Sequence, residues 1–207
     1  MSMKVVRGRV LSFLSEPQGL DDAASYRYLE DGAIGIVDGK IAWVGDFDAA
    51  AVGDAEVIDH RPHLILPGFI DTHLHYVQSQ MIASYAGSLL EWLNTYTFVE
   101  EQKFSQQGHA GAVASAFYDE LIRNGTTTAV AYCSSAPQSV DAYFAEAEKR
   151  NMLMIGGKVM MDRNAPEALC DTARSGYDDT KALIARWHGR GRGRYAISPR
   201  FAITSTP

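Results

Sequence analysis

Residues 71–75 read Asp71-Thr72-His73-Leu74-His75. In a strand, successive side chains face opposite ways, so two histidines two apart project together. Two neutral imidazoles on one face can hold one Zn2+ at about 2.0–2.1 Å each. Asp71 shares that face and is placed to orient an imidazole from behind, as metal-ligating histidines commonly require. The residues before the pair are apolar (Leu64, Ile65, Leu66, Phe69, Ile70), which predicts a buried strand. A bare His-x-His pair is more often structural than ligating, so its surroundings decide.

Those surroundings divide in two. Residues 4 to about 65 read as β structure. Lys4 to Leu14 is rich in Val and Leu, and Ala33–Val37 and Ile41–Val44 flank Asp38-Gly39-Lys40. Asp-Gly between two apolar runs is a hairpin signal, because a tight primed turn needs positive φ. Val57–Asp59 and Leu64–Leu66 read as further short strands. The pattern changes at Pro67-Gly68, after which strands alternate with helices. A strand over 66–75 is followed by a helix over 110–123 that Asn124-Gly125 ends as a left-handed cap. A β-branched strand then covers 126–132, a helix 140–149, a strand 152–161, a helix within 168–187 and a strand 195–201. Strand, helix, strand at this spacing predicts parallel β/α units. Four such strands are half of a closed (β/α)8 barrel, which takes about 250 residues. The fold class is therefore α/β: a small all-β domain over residues 1–66, then the front half of a TIM-type barrel over residues 67–207. In such barrels chemistry sits at the C-terminal ends of the strands, where His73 and His75 fall.

Composition narrows the function classes. The 207 residues are 46% hydrophobic and 21% charged, with a net charge of −6. A globular protein follows, and general nucleic-acid binding, which needs a positive field, is disfavoured. The same charge disfavours docking on an anionic membrane. No apolar run approaches the roughly 18 residues of a membrane span. The two cysteines, Cys133 and Cys170, form no C-x-x-C pair, so neither a disulfide framework nor a cysteine zinc site is expected. A soluble, cytoplasmic protein is the expectation.

The string Leu66-Pro67-Gly68-Phe69-Ile70-Asp71-Thr72-His73-Leu74-His75 resembles the metal-binding first strand of the amidohydrolase superfamily. A β unit ahead of a β/α barrel is also that superfamily's layout. Several other stretches resemble its guanine-deaminating branch. They are His75-Tyr76-Val77-Gln78, Leu89-Leu90-Glu91-Trp92-Leu93-Asn94-Thr95-Tyr96-Thr97-Phe98, Asn124-Gly125-Thr126-Thr127-Thr128, Gly157-Lys158-Val159-Met160-Met161-Asp162 and Ser198-Pro199-Arg200-Phe201. The resemblance runs from about residue 64 to 205. Its more specific parts are the L-L-E-W-L-x-x-Y-T-F stretch and Pro-Arg-Phe.

The resemblance implies roles at matching positions. His73 and His75 are implied as ligands of one Zn2+, with iron as the other candidate. Gln78 and His75 would lie beside a purine, and Arg200 and Phe201 would hold it. An amide offers donors and an acceptor, a guanidinium a planar fork and a phenyl ring a stacking face. Trp92 would line the pocket. The implied reaction is hydrolytic deamination of guanine to xanthine and ammonia, in a homodimer. The remaining metal ligands and the proton-carrying carboxylates come from later strands in the superfamily. Residues 1–207 alone are therefore expected to be inactive and poorly folded, with the β-rich domain completed by later chain.

Other features carry no chemistry on this reading. Binuclear relatives use a lysine at the end of the fourth strand; Arg200-Phe201 stand there, so a single metal is expected and Lys158 is structural. Arg186–Arg194 is basic and glycine-rich but follows no strand as a nucleotide loop would, and reads as a connector. His60, His63, His109 and His188 have no ligand-like spacing. Asp162 and Asn164 end the third strand without a firm role. Two other functions stay open: a different amidohydrolase acting on cytosine, a triazine or an adenosine-like compound, and a non-catalytic metal-binding protein.

Overall fold

The structure is a computed structural model that describes residues 3–206, with Ala50 described by its backbone alone. It falls into two compact units, Met1–Pro67 and Gly68–Pro207.

The first unit is one four-stranded sheet in the order β3-β2-β1-β4. Its strands are β1 (Lys4–Phe13), β2 (Tyr26–Val37), β3 (Lys40–Asp46) and β4 (Glu56–Ile65), with a short helix α1 (Ala49–Val52) before β4. β2 pairs antiparallel with β1 and β3, while β4 runs parallel to β1. Asp38 and Gly39 both take positive φ (51° and 74°), the two-residue turn that Asp-Gly favours. Val5, Ala33 and Val52 form its small core. The two short strands read at 57–59 and 64–66 are one strand. A register shift opposite Arg7 and Arg9 keeps it paired to β1.

The second unit is a parallel sheet in the order β5-β6-β7-β9. It contains β5 (Phe69–His75), β6 (Thr126–Tyr132), β7 (Leu153–Gly157), β8 (Val159–Met160), β9 (Arg194–Tyr195) and β10 (Ser198–Pro199). Between β5 and β6 come α2 (Leu89–Trp92), α3 (Phe98–Gln102) and α4 (Gln107–Arg123); α5 (Pro137–Lys149) links β6 to β7, and α6 (Ala173–Trp187) precedes β9. Gly125, at φ 80°, ends α4 in the left-handed conformation that its lack of a Cβ makes easy. α6 begins at Thr172, whose hydroxyl accepts the Ser175 amide while the Ser175 hydroxyl accepts the Thr172 amide, 3.0 Å each, a reciprocal cap. The main core includes Tyr76, Tyr118, Tyr143, Phe144 and Trp187. Its tyrosine hydroxyls are satisfied internally: Tyr76 donates to Ser139 O at 2.5 Å, Tyr118 to Tyr143 O at 2.9 Å and Tyr143 to Ile155 O at 3.1 Å.

Among the described residues β5 pairs with β6 alone, and Phe69 and Ile70 are 56% and 69% exposed in this segment. Two expectations are corrected. The strands read over 152–161 and 195–201 are each broken in two. β7 pairs with β9, and a separate short ladder pairs β8 with β10. At the break Gly157 passes the Ala196 carbonyl too closely for any side chain. Beside it Lys158 turns wholly inward to pair with Asp171. Finally, residues 76–106, read without elements, hold a chain of short helices whose middle turn, Leu93–Thr97, is π-helical.

Candidate active site

His73 and His75 end β5 on one face, with ring centroids 5.3 Å apart. Both touch Tyr132, opposite them at the end of β6; His75 stacks on its ring at 4.7 Å and His73 meets it edge-on at 5.5 Å. Burial, then the charges of Arg200 and His73, lowers the His75 pKa to about 4. His75 is thus neutral near pH 7, the form in which an imidazole can ligate a metal. The Asp71 carboxylate accepts the backbone N–H of His73 at 3.0 Å. Two imidazoles on one face fit two positions of a zinc site, where three protein ligands are usual for catalysis. Among the described residues no third His, Cys, Asp or Glu joins them.

Gln78 follows on the turn after β5. Its amide nitrogen lies 3.3 Å from His75 Nδ1 and donates to Glu101 Oε1 at 3.0 Å. Arg200, just past β10, reaches the same carboxylate: Nη2 donates to Oε1 at 2.8 Å and Nη1 to Oε2. The Arg200 amide also donates to Met160 O at 3.3 Å, which prolongs the β8–β10 ladder to the site. The guanidinium lies 5.8 Å from each of the Phe98 and Phe201 ring centroids. Phe201 is extended and partly exposed. Trp92 donates its indole N–H to Ser84 O at 3.2 Å. It packs on the Leu93, Phe98 and Met161 cluster. It also lines a cavity of about 840 Å³ shared with His73, His75 and Gln78. The structure therefore joins Gln78 and Arg200 through one carboxylate, with His75 against the Gln78 amide and Phe201 alongside. Trp92 sits both in the core and at the cavity wall.

Glu101 and Tyr132 were not among the residues singled out from sequence. Glu101 had a signal: Leu93, Thr97, Glu101 and Phe104 recur at helical spacing and are all buried. A carboxylate in that apolar phase is rarely fully buried unless paired. Tyr132 had none, because only the β5–β6 register places it opposite His75. Lys158 pairs with Asp171. His109 lines the same cavity, and its Nε2 is buried without a partner among the described residues.

The parallel β/α unit and the paired imidazoles at its strand end belong to a known class. Residues 64–207 match the amidohydrolase family, and the chain is a member of it. It is 46% identical over its whole length to the guanine deaminase of Escherichia coli strain K12, of which it covers 48%. Its structure superposes on that of E. coli guanine deaminase with a TM-score of 0.91, again over 48% of that chain. Guanine deaminase from Bradyrhizobium japonicum gives 0.93 at 36% identity, with 99% of this chain and 45% of that one covered. A C. acetobutylicum guanine deaminase with guanine bound in its active site gives 0.85 at 28% identity, covering 99% and 48%. The chain thus spans about half the length of the curated relatives it matches. No helix among the described residues is long and apolar enough to cross a membrane.

Proposed function

We propose that this segment belongs to a guanine deaminase, catalysing guanine + H2O → xanthine + NH3. The observation that carries the reading is the meeting of Gln78 and Arg200, distant in the chain, on one buried carboxylate beside His75. A metal half-site and a pair of hydrogen-bonding groups suited to a purine edge are thereby adjacent. In this reading the second unit is the front half of a (β/α)8 barrel. Its four parallel strands run in sequence order with helical crossovers, and its relatives with high TM-scores are about twice as long.

His73 and His75 would hold the metal. Imidazole donors suit zinc, and also iron. Such an ion supplies Lewis-acid activation of water at neutral pH. Gln78 and Arg200 bind and orient the base; Phe201 stacks on it, and Trp92 closes the cavity wall. Holding the ring so that its amino-bearing carbon faces the metal is the contribution these residues make, since orientation alone can supply several kcal/mol of catalysis. The reading leaves the proton-carrying carboxylate and the other metal donors to residues outside this segment. It also includes a homodimer acting on a free base in the cytoplasm, for which the resemblance is the support.

A substrate panel tests it. A full-length protein carrying this segment is assayed with guanine, adenine, cytosine and a chloro-triazine, with ammonia release as the readout. Guanine is expected to be preferred; preference for another member of the panel would assign the segment to a different amidohydrolase activity.

A further inference from the structure

The Glu101 side chain is fully buried, and that of Arg200 is 5% exposed. Oε1 accepts from both Gln78 and Arg200, and Oε2 accepts from Arg200. The backbone carbonyl of Glu101 accepts from the Ser134 hydroxyl at 3.1 Å, which ties α3 to the loop leaving β6. An ionised carboxylate only accepts hydrogen bonds. The Gln78 amide therefore has to present its nitrogen to Glu101, and turning over would set two oxygens against each other. The same nitrogen lies 3.3 Å from His75 Nδ1, so the carbonyl oxygen is the group left in a fixed place, and among the described residues that oxygen accepts nothing. Arg200 is fixed in the same way. Its two terminal nitrogens grip Glu101, and its Nε is buried without a partner.

The geometry points to Glu101 as a positioning residue that sets which donors and acceptors the pocket shows to a purine. It would hold the Gln78 amide in one orientation and the Arg200 fork with donors directed at an acceptor. An oxo-purine, with a ring N–H beside a carbonyl, suits that layout. A purine with an amino group in place of the carbonyl would set donor against donor. The inference rests on the guanine reading and extends it from binding to discrimination.

The test uses the full-length, metal-loaded protein and two substrates, guanine and 2,6-diaminopurine, which differ in that group and in the N1 proton that accompanies the carbonyl. Discrimination is the ratio of their kcat/KM values, or of inhibition constants where the analogue turns over too slowly. In Glu101→Gln the new amide can donate as well as accept, so Gln78 is free to turn and Arg200 loses its anchor. A loss of about 100-fold in kcat/KM for guanine is expected, a cost that a misplacement of about 1 Å can carry. The discrimination ratio should fall about tenfold or more, with metal content unchanged. Glu101→Asp keeps the charge but retracts it by about 1.5 Å, one carbon–carbon bond. It should regain part of the ratio, and it serves as the reporter if Glu101→Gln does not fold: a reduced ratio in Glu101→Asp supports the role. Equal losses for both substrates, with the ratio unchanged, would show that Glu101 only supports the fold and overturn the inference. Wild-type protein that leaves guanine untouched would overturn the guanine reading, and this inference with it. Wild-type turnover with an unchanged ratio in the variants would overturn the inference alone.

Discussion

Gly157→Ala tests how the Arg200 side of the site is held against the sheet. Gly157 ends β7 just before the chain turns Lys158 inward. A Cβ there would lie 2.0 Å from the Ala196 carbonyl oxygen and 3.0 Å from the Tyr195 ring, and Cβ contacts under 3.0 Å are essentially never seen. The β9–β10 segment must then retreat by at least 3.0 − 2.0 = 1.0 Å. The obstacle is backbone, and it is tethered: the Ala196 amide donates to Gly156 O at 2.8 Å. Overpacking costs about 1–3 kcal/mol, and a tethered backbone puts this site at about 3. That lowers Tm by about 3–6 °C in a full-length protein about twice as long as this segment, because the unfolding entropy scales with length. The same retreat carries Arg200 away from Glu101, and a 1 Å misplacement can cost about 100-fold in rate. Thermal unfolding by circular dichroism and kcat/KM for guanine read the two effects on full-length protein. Gly108→Ala is the control. Gly108 lies in α4 with nothing within 4 Å of its added Cβ, so a gain of about 0.5–1 kcal/mol is expected. A Gly157→Ala protein as stable and active as its parent would refute the claim that this close approach holds the Arg200 side of the site in place.

Three further outcomes follow from the same structure. Lys158→Met strands Asp171, whose pKa burial already raises despite Lys158. One-sided removal of such a buried pair costs about 3 kcal/mol. The penalty requires ionised Asp171, so it should be full at neutral pH and shrink as pH falls and Asp171 protonates; denaturant unfolding at pH 7 and pH 4.5 checks this, and a penalty that grows in acid would contradict it. Cys133 is 1% exposed and burial pushes its thiol pKa up. Iodoacetamide should therefore label the half-buried Cys170 well ahead of Cys133 in native protein, as read by peptide mass spectrometry; equal labelling would show that the core opens readily. His73→Ala or His75→Ala in the full-length protein should weaken metal binding by more than the roughly 10–100-fold typical of groups that only orient a ligand. Metal analysis after dialysis checks this, and full retention would remove that histidine from the ligand set.

The residue types that could do chemistry were legible because spacing alone specifies geometry over short stretches. His73 and His75 share a strand face whatever surrounds them, and Gln78 lies one turn on. The parallel β/α order was legible from alternating strand and helix patterns. What the residues did not show depends on tertiary contact. The apolar run at Phe69 and Ile70 signals a tendency to be covered, but which neighbour covers it depends on the rest of the fold. The breaks at Lys158 and at Ala196-Ile197 come from two backbones crossing at Gly157, which no local pattern reports. Glu101 lay between: its phase with Leu93, Thr97 and Phe104 was visible, but its partners, Gln78 and Arg200, come from elsewhere in the fold.

The central claim joins a two-histidine metal half-site to a guanine-holding pair. The most direct measurement is the rate of xanthine formation from guanine by a full-length protein carrying this segment, taken as isolated, after a chelator and after zinc is restored. The account predicts turnover that the chelator abolishes and zinc returns. Turnover indifferent to the chelator, or no xanthine from fully metal-loaded protein, would contradict it.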